Sequence, residues 1–279
     1  MSIYVSTPVI FSSKVLEELQ KELVLGKIAN KEYEGELEYG SEIVLTGRGK
    51  PTISPYTGTV TWQNIQNAQI TLRVDQQYYF AQTIEDIDEF QSNIDYMAGY
   101  AKDGAHGLEL KVDDYIAGLY SQSGHAVVLD DNDVDVDTAI GDITLMHTVL
   151  AENDVPENNM WICIPPWLAD KLELAGLYHA QKVAGEVVNG FIGHILHFDV
   201  YVSNNLKYAG ALADRDHYVM AGSYDSIAYV GQIKKTDIFD KLEDTIAGGV
   251  RMLHVWGAKV VKPKELVYAT MKYAAETTI

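Results

Sequence analysis

The sequence predicts an α+β fold, and three observations predict it. A long excursion from residue 45 to residue 74 is punctuated by Gly47, Gly49, Pro51, Pro55 and Gly58. It closes on alternating Ile70, Leu72 and Val74, the pattern of a two-stranded hairpin with an irregular tip. A single long amphipathic helix follows. Further on, short apolar runs separated by turn residues predict a second half rich in strands.

Taken in order, Ser12 and Ser13 precede Val15, Leu16, Leu19 and Leu23, which places one apolar stripe on a short capped helix with Gly26 near its end. Glu42 to Leu45 reads as a strand entering the excursion. Met97, Tyr100, Ala101, Gly104, Leu108, Val112, Tyr115, Ile116 and Leu119 recur at three- and four-residue steps, the spacing of one long helix ending near Gly124. Gly104 and Gly107 weaken its middle by about 1 kcal/mol each relative to Ala, so a bend or a close packing contact is expected there. A second helix runs from about Thr138 to Ala151. Then come the strand Trp161 to Ile164, a stop at Pro165 and Pro166, and a short helix restarting at Trp167. Phe198 to Val202, Ile227 to Val230 and Met252 to Val261 read as further strands.

Composition excludes several function classes. Forty acidic residues against 21 basic ones give 279 residues a formal net charge of -19, the reverse of the basic footprint that grips phosphate backbones. The lone Cys163 fits a reducing compartment. No basic stretch precedes an apolar run near Met1, and no uncharged apolar run approaches about 18 residues, so neither secretion nor membrane insertion is expected.

Candidate chemistry is sparse. Asp131, Asp133 and Asp135 are spaced like the start of a calcium loop with Asp142 at its twelfth position. Val136 stands where the turn glycine is needed, and Asp142 replaces the usual bidentate Glu. A solvated acidic connector is the primary reading, and a divalent-cation site at these three aspartates the alternative. His194 and His197 lie three apart in a strand-like stretch, so alternation sends them to opposite faces. Cys163 sits among Trp161, Ile162 and Ile164, an apolar setting unsuited to a nucleophile. The run from Gly47 to Pro51 lacks the Walker spacing, and Gly222 to Ser226 does not match the nucleophile elbow. The expectation is a protein that is not an enzyme and takes no cofactor.

The excursion itself is the unusual feature. Between Leu45 and Val74 it holds Arg48, Lys50 and Arg73 and no Asp or Glu, a basic island in an acidic chain. A hairpin alone is marginal in water, so its side chains are expected to rest on another surface, and the charge favours an acidic one.

Local strings then resemble those of tailed-bacteriophage major capsid proteins, in order along nearly the whole chain. Ile28 to Glu36 resembles the segment joining the N-arm to the loop, and Pro51 to Tyr56 with Thr61, Trp62 and Gln63 resembles the loop tip. Gly190 to Ile195, continuing through Phe198 to Leu206, is similar to a stretch of the axial domain. Leu253 to Pro263 is similar to the C-terminal strands.

The resemblance implies the Hong Kong 97-type capsid fold: an N-terminal arm (1–35), an extended β-hairpin loop (36–84), a peripheral domain with a long spine helix (85–150), an axial α/β domain (151–240), and C-terminal strands returning to the peripheral and axial domains (241–279). It implies a structural subunit that assembles with itself, as hexamers and pentamers, into an icosahedral head enclosing double-stranded DNA without sequence-specific binding. Inter-subunit contact then falls to Arg48, Lys50, Pro51, Trp62 and Arg73. A separate scaffolding protein, a portal, no membrane, and assembly in the host bacterial cytoplasm into the virion are the further expectations. Some family members cross-link a loop lysine to a neighbour's asparagine. Lys50 stands in the loop, but no motif here supplies the asparagine or the assisting glutamate, so a charge contact is the preferred reading. An encapsulin-type nanocompartment shell is the alternative within the same fold. A calcium-dependent enzyme or lectin built on Asp131 to Asp142 is the alternative from another class.

Overall fold

A computed structural model describes residues 23–33, 42–47, 53, 55, 56, 58, 68–85, 96–130, 132–176, 191–211, 215–239 and 247–274. Within them the chain runs α1 (Leu25–Ile28), β1 (Glu42–Gly47), β2 (Ala68–Arg73), β3 (Gln76–Glu85), α2 (Tyr96–Gly118), β4 (His125–Val127), β5 (Asp133–Val134), α3 (Ala139–Glu152), β6 (Met160–Ile164) and α4 (Pro166–Leu174). It continues with β7 (Phe191–Ile195), β8 (Phe198–Val202), β9 (Tyr208–Ala209), β10 (Asp216–Ser223), β11 (Ile227–Phe239), β12 (Ala247–Val260) and β13 (Leu266–Tyr273). Short 3-10 turns at Leu119–Gln122, Glu157–Asn159 and Pro263–Glu265 join some of these. Among the described residues β1 and β2 pair as a ribbon, and β11, β12 and β3 form a second sheet. The largest sheet follows the order β4-β13-β10-β6-β8-β7, with β5 added to β13 and β9 to β10.

The apolar run at β6 organises the interior. It lies between antiparallel β10 and parallel β8, and all five of its residues are buried, as a strand covered on both faces requires. Alternation along the strand divides these side chains between two cores. Met160, Ile162 and Ile164 pack with Ile143, Met146 and Leu150 of α3 and Leu168 and Leu172 of α4. Trp161 and Cys163 point the other way, into a core shared with Leu25, Ile28, Val112, Ile116 and Trp256. Burial pushes the Cys163 thiol far above its ordinary pKa, the opposite of nucleophile activation.

The long helix forms as its spacing requires, from Tyr96 to Gly118. Leu108, Val112 and Ile116 give it a buried stripe at four-residue steps. Tyr115 meets Trp256 of β12 edge-on, with centroids 5.1 Å apart. Its two central glycines behave differently. Gly104 is buried, and a methyl group there would run into the Phe80 ring of β3, whereas Gly107 is exposed and faces open space.

A buried carboxylate fastens the N-terminal side of the chain to this helix. Asp113 accepts hydrogen bonds from the backbone amides of Val24 at 2.8 Å and Gly26 at 2.7 Å, and from Asn205 Nδ2 at 3.3 Å. Past α1, the Asn30 amide donates to the Ile227 carbonyl at 2.9 Å, and the Tyr229 amide donates to the Asn30 carbonyl at 2.9 Å, tacking the chain onto β11.

Two expectations change. The helix read from Ser12 lies almost wholly outside the described residues, and Gly26 falls inside α1 instead of closing a helix. The strands read at Ile227 to Val230 and Met252 to Val261 are parts of longer ones, β11 reaching Phe239 and β12 starting at Ala247. Their extra residues include polar ones that pair across the sheet, such as Asp237 with Arg251 at 2.9 Å.

The contrast within α2 gives a paired prediction. Gly104→Ala is expected to cost about 1–3 kcal/mol through overpacking, while Gly107→Ala gains about 0.5–1 kcal/mol by removing glycine's backbone entropy. Denaturant unfolding of the two variants measures both. Losses of equal size would remove the packing account of Gly104.

Candidate assembly surface

The ribbon pairs Glu42 with Arg73 at one end and Gly47 with Ala68 at the other, in unbroken antiparallel register. Its root is fixed. Leu72 and Val74 are buried with Ala228, Val230 and Val255, and Ile43 packs against the same cluster. Lys259 Nζ donates to the Thr71 carbonyl at 2.9 Å. Gly257 of β12 is required here, because a side chain would collide with the Arg73 carbonyl.

Farther from the root the ribbon loses its cover. Val44 is 54% exposed, and on the loop beyond it Ile53 and Tyr56 are 94% and 77% exposed. An open cleft of about 550 Å³ separates β2 from the main body, lined by residues including Gln69, Ile70, Arg73, Lys259 and Pro263. Large apolar groups placed on a projecting ribbon are expected to be covered by another surface.

Of the basic residues read from the sequence, Arg73 is described and Arg48 and Lys50 lie outside the described residues, as do Pro51 and Trp62. Arg73 Nε donates to Glu42 Oε1 at 2.9 Å across the ribbon. The charge of Arg73 is thus met by an acid three residues before the acid-free stretch begins.

The acidic connector is occupied with structural work. Asp131 lies outside the described residues. Asp133 sits 3.5 Å from Lys272 Nζ where β5 joins β13. Asp135 Oδ1 accepts from the Asp137 and Thr138 amides at 3.0 and 2.8 Å and from Thr138 Oγ1 at 3.0 Å, closing the turn into α3. The hydrogen bonds from Thr138 hold its carboxyl below the usual range. Asp142, one turn on, is half-buried with Oδ2 unpaired. Burial first, then Asp135 and Asp130, push it up to about 6.

The two candidate histidines are held apart. His194 Nδ1 pairs with Asp199 Oδ1 at 2.6 Å on neighbouring β8, whereas His197 stands in the β7–β8 turn. There His197 meets His147 of α3 and Glu157, a grouping that no sequence spacing reveals. Burial, and then His197, lower the pKa of His147.

No protein-family model matches the sequence, and no curated protein does. Solved structures do match it. One from Mycobacterium phage Che8 superposes with a TM-score of 0.80 at 26% identity, covering 96% of this chain and 98% of that one. The capsid structure of the cyanophage P-SCSP1u matches with a TM-score of 0.70 at 14% identity, over 98% of this chain and 94% of that one. This is a phage capsid fold. The mature capsid of bacteriophage PhiM1 matches as well, with a TM-score of 0.70 at 10% identity, covering 95% of this chain and 92% of that one. The capsid fold therefore accounts for the whole layout, since these matches run nearly end to end on both sides.

Asp142 gives the fold a pH dependence. With its folded-state pKa raised to about 6, this carboxyl holds a proton more tightly folded than unfolded. Its contribution is complete below about pH 4 and lost as the pH rises through about 6. Asp142→Asn is expected to stabilise the protein at about pH 8 by roughly 1 kcal/mol, discounted for partial solvent exposure, and to change little near pH 4. Urea midpoints at the two pH values check this, and an equal effect at both would remove Asp142 as the cause.

Proposed function

We propose that this chain is a structural, non-enzymatic subunit that assembles with itself into the icosahedral head of a tailed bacteriophage, enclosing double-stranded DNA. The single observation that carries the reading is the end-to-end likeness to phage structures, with 96% of this chain and 98% of the Che8 chain superposed. In this reading the fold is of the Hong Kong 97 type. Helix α2 is the spine of a peripheral domain spanning residues 85–150, and residues 151–240 form the axial domain. Residues 1–35 are the arm, 36–84 the extended loop, and 241–279 the returning strands.

The loop grips a neighbouring subunit through Arg48, Lys50, Pro51, Trp62 and Arg73, and its exposed Ile53 and Tyr56 support that role. Lys50 acts by charge. A body of net charge -19 encloses DNA without reading its sequence and relies on few basic groups for its contacts. A separate scaffolding protein and a portal complete the assembly in the host cytoplasm, and the virion is where the subunit ends.

Electron microscopy of the purified chain, with its scaffolding protein co-expressed, is expected to show closed shells. Small discrete oligomers alone would sink the reading. Nuclease-protected DNA in virion shells is the expected content, and a packaged enzyme in place of DNA would assign the chain to a nanocompartment. Reversing charge in Arg48→Glu/Lys50→Glu is expected to impair assembly while leaving subunit stability within about 0.5 kcal/mol. Normal assembly of that variant at low and high salt would show that the loop charge is immaterial.

A further inference from the structure

Away from the ribbon, three side chains from three elements converge beside the start of β6. His147 stands on α3, Glu157 opens the 3-10 turn ahead of β6, and His197 lies in the β7–β8 turn. One donor atom from each lies within 4.8 Å of the other two. His197 Nδ1 is 3.5 Å from Glu157 Oε2. The His147 and His197 rings stack with centroids 5.0 Å apart. His147 also meets fully buried Phe198 edge-on at 5.7 Å, which fixes the ring.

One atom in this group is unexplained. His147 Nε2 is buried and has no hydrogen-bond partner, although a buried polar atom left unpaired is destabilising and uncommon. A buried imidazole nitrogen left unpaired, on a ring that stands beside a second imidazole and a carboxylate, is the donor chemistry of a metal site.

We propose that His147, Glu157 and His197 bind a divalent transition-metal ion of the zinc class. Zinc takes imidazole nitrogen and carboxylate oxygen at about 2.0–2.2 Å in tetrahedral array, which sets neighbouring donors roughly 3.3–3.5 Å apart. The His197 to Glu157 separation of 3.5 Å already meets that spacing, and His147 completes it through small side-chain rotations. Two imidazoles select zinc, nickel or copper over calcium or magnesium, which prefer oxygen alone. The fourth position opens to solvent and takes water, since the Glu157 and His197 side chains are 64% and 49% exposed. The bound ion ties α3, the approach to β6 and the β7–β8 turn together.

This inference does not rest on the shell reading, and its test is separate from microscopy. The full-length chain, stripped with a chelator and titrated with zinc chloride in a calorimeter, is expected to bind one ion per chain and to melt at a higher temperature once loaded. Cobalt in place of zinc should give the visible absorption of a tetrahedral site. His197→Ala and Glu157→Gln, both on exposed side chains, should each weaken binding by about tenfold or more, while His194→Ala leaves it unchanged. If the parent shows no saturable binding at one ion per chain, or if both ligand variants bind zinc as tightly as the parent, the site does not exist.

Discussion

Much of the arrangement turns on one buried charge. Asp113 is 1% exposed in the C-terminal half of α2, the longest helix among the described residues, and a carboxylate so placed is tolerated only when donors surround it. Two of these donors are backbone amides of the N-terminal turn and the third is Asn205, on the loop that follows β8. Meeting that requirement lays α1 across α2. Leu25 and Ile28 then close the core that Trp161 of the large sheet shares with Trp256 of the smaller one. The two sheets, α1 and α2 thereby meet around a single buried carboxylate. Little freedom surrounds it, since even a methyl on Gly26 would stand 3.2 Å from the Asp113 carboxylate.

How much of this could be read from the sequence depended on whether a residue's partner was near in the chain. The stripe Leu108, Val112 and Ile116 announced its helix because the helix period alone generates it. The run Trp161 to Ile164 announced a buried strand for a similar reason, but not that its faces divide two cores. Strand β3, with Gln76, Gln77, Tyr78 and Tyr79, carries no alternation. It exists because β12, some 170 residues later, offers it a ladder from Trp256 back to Ala247. Two-residue strands such as β5 and β9 are likewise defined by their partners.

The candidate residues follow the same rule. Arg73 stood out as a basic residue in an acid-free window, yet Glu42, which meets its charge, sits just outside that window. His194 and His197 invited comparison because they are close in sequence, while the neighbours that matter to His197 lie 40 and 50 positions away. Parallel pairing of β6 with β8, which sets Met160 opposite Phe198, carries Glu157 and His197 to the same end of the sheet. Spacing could not have disclosed that.

Strand β12 joins the parts that composition kept separate. It pairs with β11 on one side and β3 on the other, touches α2 through Trp256, and carries both the lysine and the glycine that seat the ribbon root. Both of its neighbours run antiparallel to it over long registers. A tug delivered through the ribbon is therefore passed along β12 as shear. Its hydrogen bonds take up that strain together, where a peeling strand would surrender them one after another.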